Sequence, residues 1–257
     1  MRRLALIDGD VLVYQCGFAS DAAAKIAYTA KHGKADGFDV QKHHEPLRYT
    51  IHGLQEKIKA ILKATSSHDY EIYISHPVNF REQFYPEYKM NRDTLHKPYW
   101  YEDIKEYLLD HEPTLYSNQG DEADDAMGIA QCGFNGDHAI ETIICTIDKD
   151  LDMIPGLHYN FSKNNIGKGV YRLEDPECLA RFYGQIIKGD NSDNIPGVFK
   201  KMGFRAEAHL FYPLEGFKTE QQMKDYVLDL FEGDTEHVQL MGKLLWIKRD
   251  NRWYDEY

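Results

Sequence analysis

The stretch Thr142–Ile147, TIICTI, constrains the fold more than any other. It is β-branched and apolar on both faces, and a strand that buries both faces belongs in the centre of a parallel sheet covered by helices. It runs directly into Asp148, Lys149, Asp150 and Asp152. This strand therefore delivers carboxylates at its carboxyl end, where open α/β sheets place their ligands. Arg3–Asp8 (RLALID) reads as a companion strand ending in an acid, and Asp10 would share a pleat face with Asp8 if that strand continued. Tyr70–Ser75 (YEIYIS) reads as a third, with His76 and Pro77 at its end, and HYNF and YRLED as shorter ones. Leu54–Ala64 carries Leu54, Ile58, Ile61 and Leu62 at helical spacing, and the pattern turns helical again from Glu177. Residues 20–50 read as a helix and an insertion. The expectation is an α/β fold: a mainly parallel central sheet flanked by helices, with a helical C-terminal region.

A chain of 257 residues can bury a full core as one large domain or two small ones. The apolar run LALI near the start is too short for a signal peptide, and no stretch is long enough to span a bilayer. Cys16, Cys132, Cys145 and Cys178 lie far apart without a CxxC pair, as expected of reduced thiols in a cytosol. Oligomeric state is not legible.

Carboxylates fall in four places: Asp8; Glu122, Asp124 and Asp125; Asp148 and Asp150; and Asp190 and Asp193. Four acids in the five positions 121–125 exceed what capping one helix start requires, and their repulsion would be relieved by a cation. The last group sits in Ile186–Gly203, IIKGDNSDNIPGVFKKMG, where a turn of acids opens onto lysines. Hard oxygen donors in this number suit Mg²⁺ or Mn²⁺ and not zinc. Two such ions about 4 Å apart would activate a water and stabilise the leaving oxygen of a phosphodiester. The net charge of −12 is a mild objection to a nucleic-acid substrate, because setting these eight acids aside leaves −4. Local basic patches then decide binding. One candidate is residues 80–105, where Arg81, Lys89, Arg92 and Lys97 interleave with Tyr85, Tyr88, Tyr99, Trp100 and Tyr101. Single-stranded nucleic acid is bound by cations and aromatics in this way, although a helix packing its aromatics inward would show the same composition. If the segment between Pro86 and Pro98 is helical, Lys89 and Arg92 lie on one face.

The pieces LIDGD (6–10), FREQFYPEYKMNR (80–92), GDEADDAMG (120–128), TIDKDLDMIPG (146–156) and KGDNSDNIPGV (188–198) occur in an order that resembles the 5′-nuclease (flap endonuclease) superfamily. The likeness is greatest to the short 5′→3′ exonucleases of T-odd bacteriophages. Only residues 20–50 and the last 40 or so lack a marker. The resemblance implies a PIN-like nuclease core over 1–176 with a helical arch at about 80–105. It also implies a helical DNA-binding region over 177–257 with a helix–three-turn–helix at about 186–211. Asp8, Glu122, Asp124 and Asp125 are similar to the ligands of a first metal ion, and Asp148, Asp150, Asp190 and Asp193 to those of a second. Lys89 and Arg92 look like the arch residues that engage the scissile phosphate. Arg81, Lys89, Arg92, Lys200, Lys201, Gly203 and Arg205 are the implied DNA contacts. The implied activity is Mg²⁺-dependent hydrolysis of DNA at 5′ ends or flaps, with an RNA–DNA hybrid as a further substrate and no membrane partner.

Two positions depart from the family pattern. His76 stands where the family has a metal-site carboxylate, which makes it a candidate at the rim of the first site. Lys201-Met202-Gly203 replaces Gly-hydrophobic-Gly in the DNA-gripping hairpin. Losing the first glycine counts against the K⁺ ion that this element often holds, and Lys200, Lys201 and Arg205 would then contact phosphates directly. Two other readings stay open. IDGD with GDNSD also resembles a haloacid-dehalogenase-type phosphatase, with Asp8 as nucleophile and Asp10 as acid/base. The His76 change could also leave a catalytically weakened nucleic-acid-binding protein.

Overall fold

Strands β1 (Arg2–Asp8) and β4 (Ile140–Thr146) lie side by side at the centre of a six-stranded sheet. The computed structural model describes residues 2–92, 96–134, 140–162, 169–198 and 212–252. The strand order is β3-β2-β1-β4-β5-β6, where β2 is Asp69–Ile74, β3 Thr114–Tyr116, β5 Gly156–Asn160 and β6 Tyr171–Leu173. All pairings are parallel except β5 with the edge strand β6. The TIICTI run is thus flanked by parallel neighbours on both sides, as its two-faced apolar character requires.

The side-chain period of two divides the core. Leu6 and Ile144 point to one face, with Met127, Phe182, Tyr183 and Trp246. Ala5, Ile7, Ile143 and Cys145 point to the other, with Leu12, Leu54, Ile58, Ile104 and Leu108. The second face is covered by α1 (Gly9–His32), α3 (Leu47–Thr65) and α5 (Tyr101–His111). The first is covered by α6 (Ala123–Phe134), α7 (Asp175–Lys188) and the helices Glu220–Leu230 and Thr235–Leu245. Chain reversal across the sheet puts the topological switch point between β1 and β4, and the crevice there opens at their carboxyl ends.

Local chemistry sets the ends of these elements. Strand β1 does not continue to Asp10. The helix begins at Gly9, because Asp8 caps it by accepting from the Val11 N–H at 2.9 Å. Only glycine fits position 9: a Cβ there would lie 2.6 Å from the Tyr73 carbonyl oxygen. The helix expected within residues 20–50 is therefore the second half of α1, followed by a short Asp39-capped turn, α2 (Val40–His43). Helix α7 opens with a capping box between Glu174 and Glu177.

Between Pro86 and Pro98 the described residues are not α-helical. After α4 (Arg81–Phe84) come turns, Lys89 in the left-handed region at φ 56°, and one 3₁₀ turn at Met90–Arg92. The four cysteines are free thiols. No helix among the described residues is long and apolar enough to cross a membrane.

Candidate metal centre

Four separate segments bring their acids to the switch-point crevice. Asp8 ends β1, Asp148 and Asp150 follow β4, Glu122 and Asp124 sit at the start of α6, and Asp193 lies beyond α7. All six line one cavity of about 700 Å³. Asp190 lines an adjoining cavity that shares Asp148 and Asp150.

Electrostatics divide these acids into two groups. Asp8 is buried, and its carboxyl is pushed up to about 7 by that burial and by the charges of Asp10 and Asp148. Its two hydrogen bonds, from the Val11 N–H and from the Thr146 hydroxyl at 2.7 Å, only partly offset this. Asp124 is raised well above the carboxylate range by burial and by Asp8, Asp148 and Glu122. Asp150 is raised to about 6 by burial and by Asp148.

The second group holds the protein's own cations. Burial alone would raise Glu122, but Lys89 and Arg81 hold it down at about 2. Asp193 pairs with Arg92 and lies 3.7 Å from the Lys89 ammonium, yet burial leaves it somewhat raised. Asp190 is held low by the Ser192 hydroxyl and N–H, against its burial.

Among the described residues, no three His, Cys, Asp or Glu side chains already stand in the arrangement that would grip one ion. The chemistry of the set fits divalent metal nonetheless. Hard oxygens crowded until their proton affinity rises form an environment that a cation stabilises.

Two of the expected site residues are paired with each other. Asp125 is not among the residues that line the cavity. It is fully buried and gives both oxygens to the Arg81 guanidinium, at 2.7 and 2.9 Å. It also accepts from the backbone N–H groups of Glu122 and Lys248, both at 3.1 Å. Arg81, expected on DNA, is 3% exposed. Its remaining donors reach the carbonyls of Leu244 at 2.9 Å and Trp246 at 2.7 Å, clasping the C-terminal segment to the start of α6. Gly128 makes room for that segment, since a Cβ there would lie 2.2 Å from the Lys248 carbonyl oxygen.

Lys89 and Arg92 do reach the site, on a loop zipped to the acidic turn. Lys89 N–H donates to the Asp193 carbonyl at 3.0 Å, Asn91 to the Asn191 carbonyl at 2.8 Å, and Asn194 to the Glu87 carbonyl at 3.0 Å. His76 lines the cavity, and its Nδ1 accepts from the Val78 N–H at 3.1 Å. Asp10 also lines it and accepts from the Ser75 N–H at 3.1 Å, tying α1 to the end of β2. Lys200, Lys201, Gly203 and Arg205 lie outside the described residues.

Sequence reasoning missed three supporting groups. The Tyr88 hydroxyl lies 2.8 Å from Glu122 and 3.1 Å from Asp193, so it joins acids 71 residues apart. The Gln185 amide donates to Asp150 at 3.1 Å and Asp190 at 3.2 Å. Thr146 serves both Asp8 and the Asp148 N–H. The signals were faint: a tyrosine beside Lys89, and a glutamine in the last turn before Asp190.

Comparison with known proteins agrees with the fold. A family model described as "5′-3′ exonuclease, N-terminal resolvase-like domain" matches residues 3–158. DNA polymerase I of Chloroflexus aurantiacus is 32% identical over 135 residues, which are 46% of this chain but only 14% of that polymerase. Among solved structures, a bacteriophage T5 flap endonuclease pseudo-enzyme–product complex with DNA and metal ions superposes with a TM-score of 0.54. It is 16% identical, and the match covers 95% of this chain and 98% of that one. At that identity the likeness is one of fold.

Proposed function

This chain belongs to the family of 5′-3′ exonucleases with an N-terminal resolvase-like domain, and from that premise we propose that it hydrolyses DNA phosphodiesters from 5′ ends and at 5′ flaps with two divalent metal ions. The observation that carries the proposal is the gathering of Asp8, Glu122, Asp124, Asp148, Asp150 and Asp193 on one cavity at the sheet's switch point. In this reading residues 1–176 form the nuclease core and residues 177–257 the DNA-binding region, with the hairpin at 186–211 gripping the duplex. Asp8, Glu122 and Asp124 hold one ion, and Asp148, Asp150, Asp190 and Asp193 the other, with Mg²⁺ the working metal and Mn²⁺ an alternative. Bound metal supplies an activated water and charge stabilisation at the leaving oxygen.

The chain's own residues do the rest. Tyr88 links a carboxylate of the first set to one of the second, and Gln185 holds two carboxylates of the second. Thr146 and the Val11 N–H hold the Asp8 oxygens at the head of α1. Lys89 and Arg92 line the cavity and are the cations available to the phosphate's non-bridging oxygens when metal engages the acids. Family membership sets the phosphatase reading aside.

The test is digestion of 5′- and 3′-labelled duplex, flap and RNA–DNA hybrid substrates with Mg²⁺, with EDTA as control. Release from the 5′ end that EDTA stops is the expected result. DNA binding without cleavage in either Mg²⁺ or Mn²⁺ would favour the weakened binding protein instead.

A further inference from the structure

Three strands end at the first cavity, and two of them deliver acids to it. Strand β1 ends at Asp8, and β4 runs into Asp148. Strand β2 runs into Ser75, His76 and Pro77, which line the same cavity without a carboxylate of their own. The acid found at the end of β2 comes from another element. Asp10, in the first turn of α1, lines the cavity and accepts from the Ser75 N–H at 3.1 Å. The Ser75 hydroxyl in turn accepts from the Ala123 N–H at 2.9 Å. Ser75 thus links the Asp10 carboxylate to the backbone between Glu122 and Asp124.

Packing brings it there. Helix α1 starts so close to β2 that only glycine fits at position 9, and the residue after that glycine meets the strand's end. An acid in a first turn complements the helix dipole wherever it points. The bond to Ser75, 65 residues away in sequence, fixes where this one points. We propose that Asp10 is a fourth carboxylate of the first metal group, supplying on the β2 side the acid that the strand itself lacks. This rests on the nuclease reading, which assigns Asp8, Glu122 and Asp124 to that ion and leaves Asp10 without a task.

The charges around Asp10 support the assignment. Of the three acids already in that group, Glu122 is paired with Lys89 and Arg81. Asp8 and Asp124 alone would then meet an ion without first giving up a protein cation. Asp10 has one hydrogen bond and no ion pair among the described residues, so its charge is equally open. That charge is felt at Asp8, which puts the two carboxylates within Coulombic reach of each other. His76, by contrast, turns its Nδ1 back to the Val78 N–H of its own loop. Magnesium keeps several of its waters when it binds protein. A carboxylate in the cavity wall therefore serves the ion by accepting from a coordinated water, with no need to displace it.

The experiment compares wild type with Asp10→Asn and with Asp10→Asn/His76→Asp. Asparagine keeps an oxygen for the Ser75 N–H, so the single variant removes the charge and leaves the tie between α1 and β2. Mn²⁺ binding to the DNA-free protein is measured by titration calorimetry and by the paramagnetic resonance of unbound Mn²⁺. Affinity for one ion should fall by about tenfold or more in Asp10→Asn, the range seen for groups that support metal ligands. The other ion should bind as in wild type. The double variant returns a carboxylate to the end of β2 and should recover most of the lost affinity. Without metal, Asp10→Asn should unfold at or above the wild-type temperature, because a charge beside Asp8 is gone. Wild-type Mn²⁺ affinity in Asp10→Asn, or a loss that tracks a lowered unfolding temperature, would overturn the assignment and make Asp10 a structural tie. A loss that His76→Asp does not repair would overturn it too, since the charge would then act elsewhere than at the end of β2. Wild type that binds no Mn²⁺ would instead refute the metal-dependent reading itself, so the two failures are distinguishable.

Discussion

Replacing Arg81 with methionine tests the reading that Arg81 and Asp125 hold the fold. The substitution keeps much of the apolar stem and removes every donor. It strands the Asp125 carboxylate, which is 0% exposed, and strips the Leu244 and Trp246 carbonyls of their charged partner. Breaking one side of a buried ion pair costs about 3–5 kcal/mol. Each carbonyl left unsatisfied adds about 1 kcal/mol or more, though such losses overlap. A total near 4 kcal/mol corresponds, at about 2–4 °C per kcal/mol for a chain of this size, to a Tm lowered by roughly 8–16 °C. Urea unfolding followed by circular dichroism, with m unchanged, is the measure. Asp8→Asn supplies the opposite sign. Burial and the charges of Asp10 and Asp148 push its carboxyl up to about 7 in the fold, above the ordinary aspartate value of about 3.9, so at pH 8 the metal-free protein bears a penalty of about 4 kcal/mol at most. Asparagine removes that charge and still caps α1. Arg81→Met should therefore destabilise the metal-free protein while Asp8→Asn stabilises it. An Arg81→Met loss below about 1 kcal/mol, or both variants shifting in the same direction, would refute this division between structural and metal-site acids.

Asp148→Asn and Asp190→Asn should each abolish Mg²⁺-dependent cleavage with the circular dichroism spectrum unchanged; retained activity in both would remove these acids from the metal set. Tyr88→Phe removes the hydroxyl shared by Glu122 and Asp193 and should slow cleavage by about tenfold or more, read from single-turnover rates. Metal-free stability should fall between about pH 4 and 7, because the raised Asp8 and Asp150 bind more protons folded than unfolded there. Calorimetry with and without Mg²⁺ should accordingly show a larger stabilisation by metal at pH 8 than at pH 5, and the reverse order would contradict the assigned shifts. His76→Asp should raise Mg²⁺-supported activity relative to Mn²⁺, whereas identical metal preference in His76→Asp and His76→Ala would show that His76 is only a turn residue.

The sheet was legible because its central strands are apolar on both faces, and few elements other than a covered parallel strand produce that pattern. The carboxylates after β1 and β4 followed from the same strands. Asp8 is the point where local reading ended. A strand's last residue and a helix cap look alike in sequence, and the tight passage at Gly9 is visible only when Tyr73 is beside it. The two prolines around residues 87–97 suggested a helix, but Lys89 at φ 56° and the hydrogen bonds to residues 191–194 depend on contacts about 100 residues away. Asp124 and Asp125 carry the same chemistry one residue apart. Successive helix positions diverge by about 100°, so one meets the cavity and the other meets Arg81, and only the packing of α6 says which.

The arrangement of charge also explains why an acidic chain can work on a polyanion. Asp8 and Asp124 are buried at the ends of central elements, and the charge of Asp148 beside them adds to the repulsion. A divalent ion there removes an unfavourable term without displacing a protein cation. At Glu122 and Asp193 the situation is reversed, because Lys89 and Arg92 already neutralise them and metal must compete for those oxygens. In the proposed reaction, whatever the acids yield to metal would free Lys89 and Arg92 beside the phosphate. With the proposed ions bound, the carboxylates that appear in the net charge of −12 would be largely neutralised where they meet the substrate. A phosphate would meet that local field first, and the sign of the whole molecule would matter less.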